Sequence, residues 1–102
     1  MAKLVVLYKL PSDKAAFDRY YQSTHIPLAK KIPGLRKYDI SDGAVGTPAG
    51  PGDVHLVATL HFDSMADLQS ALGSAEGQAA AGDLVNFASG GADMYMFDTK
   101  DV

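Results

Sequence analysis

The segment from Lys3 to Lys9 carries apolar side chains at nearly every position and ends at Leu10-Pro11. A strand with one face in water alternates between apolar and polar residues, whereas a short unbroken run of valine and leucine is typical of a strand covered on both faces. The last strand-like segment, Ala92 to Asp98, has methionines on one face and aromatic rings on the other. The chain therefore needs a fold in which both faces of a sheet are covered.

The strand and helix patterns follow one another in a simple order. Ser12 or Asp13 can cap a first helix that runs to about His25, and Ser64 can cap a second helix, which Gly73 interrupts. The expected order is strand, helix, strand, strand, helix, strand, over residues 3–9, 13–25, 35–41, 54–62, 64–87 and 92–98, with a glycine-rich hairpin connection at 42–52. A right-handed crossover closes this βαββαβ order as a ferredoxin-like α+β fold with an antiparallel sheet.

Both helices of such a fold cover the same face of the sheet, so the apolar second face needs another partner. Left bare, that face would exceed the few hundred Å² of contiguous apolar surface that monomers usually expose. A symmetric pair of chains packed sheet against sheet covers both second faces with one sequence. We therefore expect a homodimer.

Composition narrows the kinds of partner and site. With 102 residues, we expect one domain over residues 1–102. The sequence has no cysteine, which excludes disulfides and cysteine-bound metals and is compatible with a cytoplasmic location. A net charge of −3 without a long Lys/Arg run argues against nucleic acid as a partner. The apolar run Leu4–Leu7 is too short for a signal peptide or a membrane span, so we expect no membrane association.

His25 stands two residues before Pro27, where the first helix should end or kink, because proline disfavours helical angles in the residue before it. An aromatic and apolar stripe surrounds it at near-helical spacing: Phe17, Tyr21, His25 and Leu28. Imidazole can take and give a proton near neutral pH, which suits acid–base catalysis. In a purely structural role, His25 would instead bond the backbone carbonyls that Pro27 leaves without partners.

Two separated blocks of this sequence resemble the signature of the EthD family, small proteins named for a gene cluster of ethyl tert-butyl ether degradation. The first block is residues 17–21 with residues 24–35, and the second is residues 74–77, 83–87 and 90–91. The resemblance aligns His25 with the family's characteristic histidine. It implies a dimeric α/β barrel and a part in the breakdown or modification of a small hydrophobic compound, a part sometimes described as that of a reductase.

We predict that His25 moves the proton and that the hydroxyl of Tyr21 assists it. Tyr20 and Tyr21 are adjacent, so their side chains point about 100° apart on a helix and cannot share one role. A small hydrophobic ligand would lie in an apolar pocket between helix and sheet. The residues expected to contact this ligand are Phe17, Tyr20, Leu28, Tyr8 and Leu60.

We predict neither a metal nor a cofactor. His55 and His61 fall on one face of their strand, but six residues of strand separate them by roughly 20 Å, too far to hold one metal ion. A structural or interfacial role is expected for both. The glycines of residues 43–52 lack the strand–GxGxxG–helix context of a nucleotide site.

Three functions remain open from the sequence. The first is cofactor-independent acid–base catalysis on a carbonyl or quinone-like compound. The second is a non-catalytic binding or accessory protein for a hydrophobic metabolite. The third is a cofactor-free monooxygenase, as in other members of the same barrel group. One fold hosts many functions, so the fold does not choose among them.

Overall fold

The computed structural model describes residues 1–102 as one four-stranded sheet, a small β-ribbon and a layer of helices. The elements in chain order are β1 (Ala2–Lys9), α1 (Lys14–Tyr20), a π-helical turn (Tyr21–His25), α2 (Ile26–Ala29), β2 (Lys37–Ile40), β3 (Gly46–Thr47), β4 (Gly50–Pro51), β5 (Val54–Phe62), α3 (Met65–Gly73), α4 (Ala75–Gly82), a 3-10 turn (Asp83–Asn86) and β6 (Ala92–Asp98). None of the helices has the length and apolar character needed to cross a lipid bilayer.

The main sheet has the strand order β2-β5-β1-β6, and each neighbouring pair is antiparallel. Its register brings Val6 of β1 opposite Ala58 of β5 on one side and Met94 of β6 on the other. This is the predicted ferredoxin-like βαββαβ arrangement. The predicted hairpin connection at 42–52 contains the short ribbon formed by β3 and β4.

Burial along β1 alternates strictly, which shows that the helices cover one face of the sheet. Leu4, Val6 and Tyr8 are buried beneath the helices, while the residues between them are only half-buried. On the second face of β6, Tyr95 is 56% exposed and Phe97 is 42% exposed. Within one chain, the second face of the sheet therefore remains open, as the sequence pattern predicts.

The first helical segment continues past the predicted end at His25. Asp13 caps α1 by accepting a hydrogen bond from the backbone N–H of Ala16. The π turn then widens the helix, with the Ile26 N–H donating to the carbonyl of Tyr21 five residues earlier. Pro27 falls in the first turn of α2, where its missing N–H is tolerated. The segment therefore ends at Ala29, and proline acts as a helix starter rather than a terminator.

Ser64 and Ser74 begin the second pair of helices. Ser64 accepts a hydrogen bond from the Asp67 N–H, as predicted, and Ser74 caps α4 by accepting one from the Gly77 N–H. The helix predicted to reach residue 87 ends as an α-helix at Gly82, and the 3-10 turn follows it from Asp83. The carboxylate of Asp83 in this tighter turn is buried.

A β-bulge moves His55 off the strand face that it was expected to share with His61. The register between β1 and β5 shifts between Tyr8 and Lys9, so strict alternation fails at this end of β5. The His55 ring packs edge-on against Phe17 at 4.9 Å between centroids, and its Nε2 lies 2.8 Å from the Asp18 carboxylate. His55 therefore lies against α1 and not on the open face of the sheet.

Candidate active site

A cavity lies between the helical layer and the sheet. Its walls are mainly apolar side chains from both layers, such as Val6 and Leu60 from the sheet and Leu72 and Leu84 from the helical layer. The space that water could occupy between these walls is about 50 Å³. At about 10–15 Å³ for each water, that space holds roughly three to five waters. The cavity is therefore small and suits a small apolar molecule.

His25 presents one edge of its ring to this cavity and the other edge to Asp83. The His25 Nδ1 lies 3.0 Å from the Asp83 Oδ2, and both side chains are only 6% exposed. An ionised carboxylate accepts the hydrogen bond, so the proton of a neutral imidazole sits on Nδ1. The Nε2 lone pair then faces the cavity, where the hydroxyl of Tyr8 lies 3.5 Å away.

Asp83 remains ionised because three donors surround it. Tyr20 donates to the Asp83 Oδ1 at 2.6 Å, and the Asn86 side-chain amide donates to the same oxygen at 3.0 Å. Burial alone would raise the pKa of Asp83, but the hydrogen bonds from Tyr20, Asn86 and His25 outweigh it and lower that pKa. Asp83 therefore stays negatively charged at neutral pH and fixes the orientation and tautomer of the imidazole.

Three phenols complete the polar part of the cavity. Tyr8, Tyr21 and Tyr38 all line it, and the hydroxyls of Tyr21 and Tyr38 hydrogen-bond to each other. Burial is the largest cause that raises the pKa of each of these phenols, and the nearby Tyr38 raises the pKa of Tyr8 and Tyr21 further. All three phenols are therefore uncharged at neutral pH and can donate hydrogen bonds.

The structure brings together four of the residues selected from the sequence. Tyr8, Tyr21, His25 and Leu60 line the cavity. The rings of Tyr21 and His25 lie 5.2 Å apart between centroids. These four residues converge from β1, β5 and the π turn.

The other three selected residues lie outside the cavity lining. Phe17 is buried one turn earlier, with its ring 5.8 Å from that of Tyr21, and it supports the cavity wall. Tyr20 contacts Asp83 from the opposite side. Leu28 is only half-buried, and Ala29 occupies the cavity wall in its place. The wider π turn shifts the helical phase, so the residue four places after His25 faces inward instead of the residue three places after it.

Asp83 and Tyr38 were not predicted as site residues. Asp83 lies within the second block that resembles the EthD signature, three residues before Asn86, and that block was the available signal for it. Tyr38 alternates with polar residues on the short strand β2, and nothing in its spacing separates it from ordinary core tyrosines. Elsewhere in the chain, no group of three or more His, Asp or Glu side chains is gathered closely enough to hold a metal ion.

Comparison with known proteins identifies the family. A family model described as the EthD domain matches residues 9–91. The chain belongs to the EthD family. An EthD family protein from Bacillus halodurans is 37% identical, with a TM-score of 0.89 over 98% of this chain and 99% of its own. An uncharacterized 11.0 kDa protein from the thcB-thcC intergenic region of Rhodococcus erythropolis is 38% identical over 107 residues, covering 100% of this chain and 98% of its own.

More distant solved structures share the fold of this EthD chain. SnoaB from Streptomyces nogalater, a cofactor-independent oxygenase, is 14% identical with a TM-score of 0.69 over 99% of this chain and 94% of its own. A dimeric protein of ferredoxin-like fold from Bacteroides fragilis is 20% identical with a TM-score of 0.66 over 96% of this chain and 95% of its own. At these identities the likeness shows the fold alone.

Proposed function

We propose that this EthD-family protein transforms a small hydrophobic carbonyl compound by acid–base catalysis at His25, without a cofactor. The observation that carries the proposal is the buried His25–Asp83 pair, whose second imidazole nitrogen, Nε2, lies beside the Tyr8 hydroxyl at an apolar cavity. A general base needs its lone pair directed at the substrate and a partner that stabilises the proton it takes. The Nε2 atom and the Asp83 carboxylate meet these two needs.

The proposed reaction is a proton shift. The His25 Nε2 takes a proton from the carbon next to the substrate carbonyl, and the electron pair of that bond moves onto the carbonyl oxygen as an enolate. The resulting imidazolium is stabilised by the charge of Asp83. Tyr21 donates a hydrogen bond to the enolate oxygen, and His25 returns the proton to a different carbon. Isomerisation, or dehydration when a leaving hydroxyl is protonated instead, follows from these steps.

We also propose that two chains pack their open sheet faces together to form a homodimer. The exposed rings of Tyr95 and Phe97 lie on that face of β6, beside the half-buried Val5 and Leu7 of β1. A dimeric arrangement is described for the Bacteroides fragilis structure that shares this fold. The cavity opens on the other side of the sheet, so each subunit carries a site of its own.

A second candidate function is a cofactor-free oxygenase, which is the activity of SnoaB, a protein of the same fold. Such a reaction also begins with removal of a substrate proton, which His25 would take. The two functions differ in whether oxygen is consumed. Oxygen uptake in the presence of an aromatic substrate separates oxygenation from isomerisation.

Deuterium exchange tests the proposed chemistry without knowledge of the natural substrate. Enolisable cyclic ketones are incubated with the protein in D₂O, and NMR follows loss of the proton signal beside the carbonyl. The wild type should accelerate the exchange, and His25→Asn should reduce the accelerated rate by about a hundredfold or more. His61→Asn is the matched control, because His61 lies on the open face beside Asp39.

Equal rates in wild type and His25→Asn would overturn the assignment of His25. If both proteins bind an apolar compound with the same affinity and neither accelerates exchange or turnover, the protein is a binding or accessory protein instead.

A further inference from the structure

The hydroxyls of Tyr21 and Tyr38 form a hydrogen-bonded pair, and the proposed proton shift uses only Tyr21 of the two. The two phenols come from different layers, Tyr21 from the π turn and Tyr38 from β2, and both line the cavity that His25 faces. In the empty pair, one hydroxyl donates to the other. The second hydroxyl has a proton to donate to another acceptor, and both hydroxyls can donate to an incoming oxygen once the hydrogen bond between them opens.

The charge of the cavity limits the kind of molecule that fits. No lysine or arginine lines it, and its titratable groups are three phenols and one imidazole: Tyr8 from β1, Tyr21 and His25 from the π turn, and Tyr38 from β2. Behind His25 lies the negative Asp83. A permanently charged carboxylate or phosphate would meet no cation in this apolar space, and burying it unpaired would be strongly unfavourable. A neutral ligand that becomes anionic only by giving its proton to His25 avoids that penalty.

We infer that Tyr21 and Tyr38 together bind the oxygen of small, weakly acidic substrates, namely phenols or enolisable ketones, while His25 holds the proton removed from them. The inference rests on the proposed function and adds Tyr38 to it as a residue that contacts the substrate. For a phenol, the O–H bond breaks, its proton moves to the His25 Nε2, and the electron pair stays on the oxygen. For a ketone, the α C–H bond breaks and the charge reaches the same oxygen through the enolate.

The physical basis is that hydrogen bonds to an anion are stronger than hydrogen bonds to a neutral oxygen. Two neutral phenols in a largely apolar site donate to an oxyanion without any charge of their own to neutralise. The small volume of the cavity favours a single ring over a bulky ligand. The pair therefore distinguishes the ionised ligand from the neutral one, which is the property that a transition state with enolate character requires.

Binding of 4-nitrophenol tests this inference directly, because its neutral and ionised forms have different absorption spectra. The titration is run at a pH where the free probe is mostly neutral. On binding to the wild-type protein, the probe should show increased absorption at the wavelength of its phenolate form. Tyr38→Phe should weaken binding of the phenolate by about tenfold while changing affinity for nitrobenzene, which lacks the hydroxyl, by less than about twofold.

The control is Tyr95→Phe, which removes a phenol hydroxyl from the other face of the sheet and should behave as the wild type. Circular dichroism of each variant verifies the fold. Three results would overturn the inference: the probe bound in its neutral form by the wild type, an unchanged phenolate affinity in Tyr38→Phe, or no binding of either compound. His25-dependent deuterium exchange alongside any of these results would leave the proposed function standing, so the two failures are distinguishable.

Discussion

Substitution of Gly77 by alanine should destabilise the protein through a clash between the backbones of two helices. A Cβ atom at position 77 would lie 2.1 Å from the carbonyl oxygen of Ala71 and 3.0 Å from the Leu72 Cα. Both atoms belong to the backbone of α3, so no change of side-chain rotamer relieves the contact. The helix α4 would have to move away from α3, and α4 also forms one wall of the cavity through Ala80 and Ala81.

Two opposing effects set the magnitude for Gly77→Ala. In a helix interior, alanine stabilises the folded state by about 1 kcal/mol relative to glycine. Overpacking of a closed site costs about 1–3 kcal/mol, and a rigid backbone contact more than 1 Å too short belongs at the upper end of that range. The free energy of unfolding should therefore fall by about 2 kcal/mol. For a chain of this size, the midpoint of thermal unfolding should fall by roughly 8–16 °C.

Gly82→Ala is the matched control for Gly77→Ala. Gly82 ends the same helix, and a Cβ there would meet nothing within 4 Å. This substitution should raise the free energy of unfolding by up to about 1 kcal/mol or leave it unchanged. Urea unfolding of both variants, followed by circular dichroism, measures the difference. Equal stabilities for the two variants would refute the close approach of α3 and α4.

Three further perturbations test other parts of the molecule. Asp83→Asn should lower turnover by roughly a hundredfold in steady-state assays, because a neutral amide no longer stabilises the imidazolium; unchanged turnover would remove Asp83 from the mechanism. Since the pKa of Asp83 is lowered in the folded state, its ionised form stabilises the protein above the ordinary aspartate pKa of about 4, and this contribution is lost as the pH falls through the lowered value. Urea unfolding from pH 5 to pH 2 should therefore show a smaller loss of stability in Asp83→Asn than in the wild type, and parallel curves would contradict this. Phe97→Glu should convert the proposed dimer to monomers in sedimentation velocity, whereas Val85→Glu, at a side chain 90% exposed and away from the sheet, should leave that dimer intact; dimers in both variants would contradict sheet-to-sheet packing. Gly90→Ala should lower the unfolding midpoint, because its Cβ would lie 2.3 Å from the carbonyl oxygen of Leu10, and an unchanged midpoint would show that this turn relaxes freely.

Local patterns predicted the strands well. The bounds of β5 and β6 agree with the sequence, since alternation over residues 54–62 and the double glycine before Ala92 are strong local signals. The order of strands and helices then left few ways to close the sheet. The open second face also followed from the apolar pattern of β1.

The residue pattern did not predict the features that depend on the local widening of a helix or on pairing between strands. Proline was expected to end or kink the first helix around His25. The helical segment instead continues through a π turn, and hydrogen bonds between residues five apart leave no mark in the residue pattern. The β-bulge that turns His55 toward α1 likewise depends on pairing between strands. Each of these features displaces the neighbouring side chains by about one position. At the π turn, this displacement places Ala29 rather than Leu28 in the cavity wall.

The candidate site was half predictable for the same reason. His25 and Tyr21 stand out because a titratable ring and an aromatic ring share one helical stripe. Asp83 reaches His25 from 58 positions away in the chain, and Tyr38 reaches Tyr21 from 17 positions away. Such partners are selected by the packing of layers, and a single sequence carries no spacing rule for them.

The tautomer of His25 is the most direct test of the proposed chemistry, because catalysis requires the Nε2 lone pair to face the cavity. Long-range ¹⁵N–¹H NMR correlation on the neutral imidazole distinguishes the two ring nitrogens. The structure predicts a proton on Nδ1, directed at Asp83, and an unprotonated Nε2, with a larger share of the other tautomer in Asp83→Asn. A wild-type spectrum with the proton on Nε2 would contradict the account, since His25 would then have no lone pair to offer a substrate.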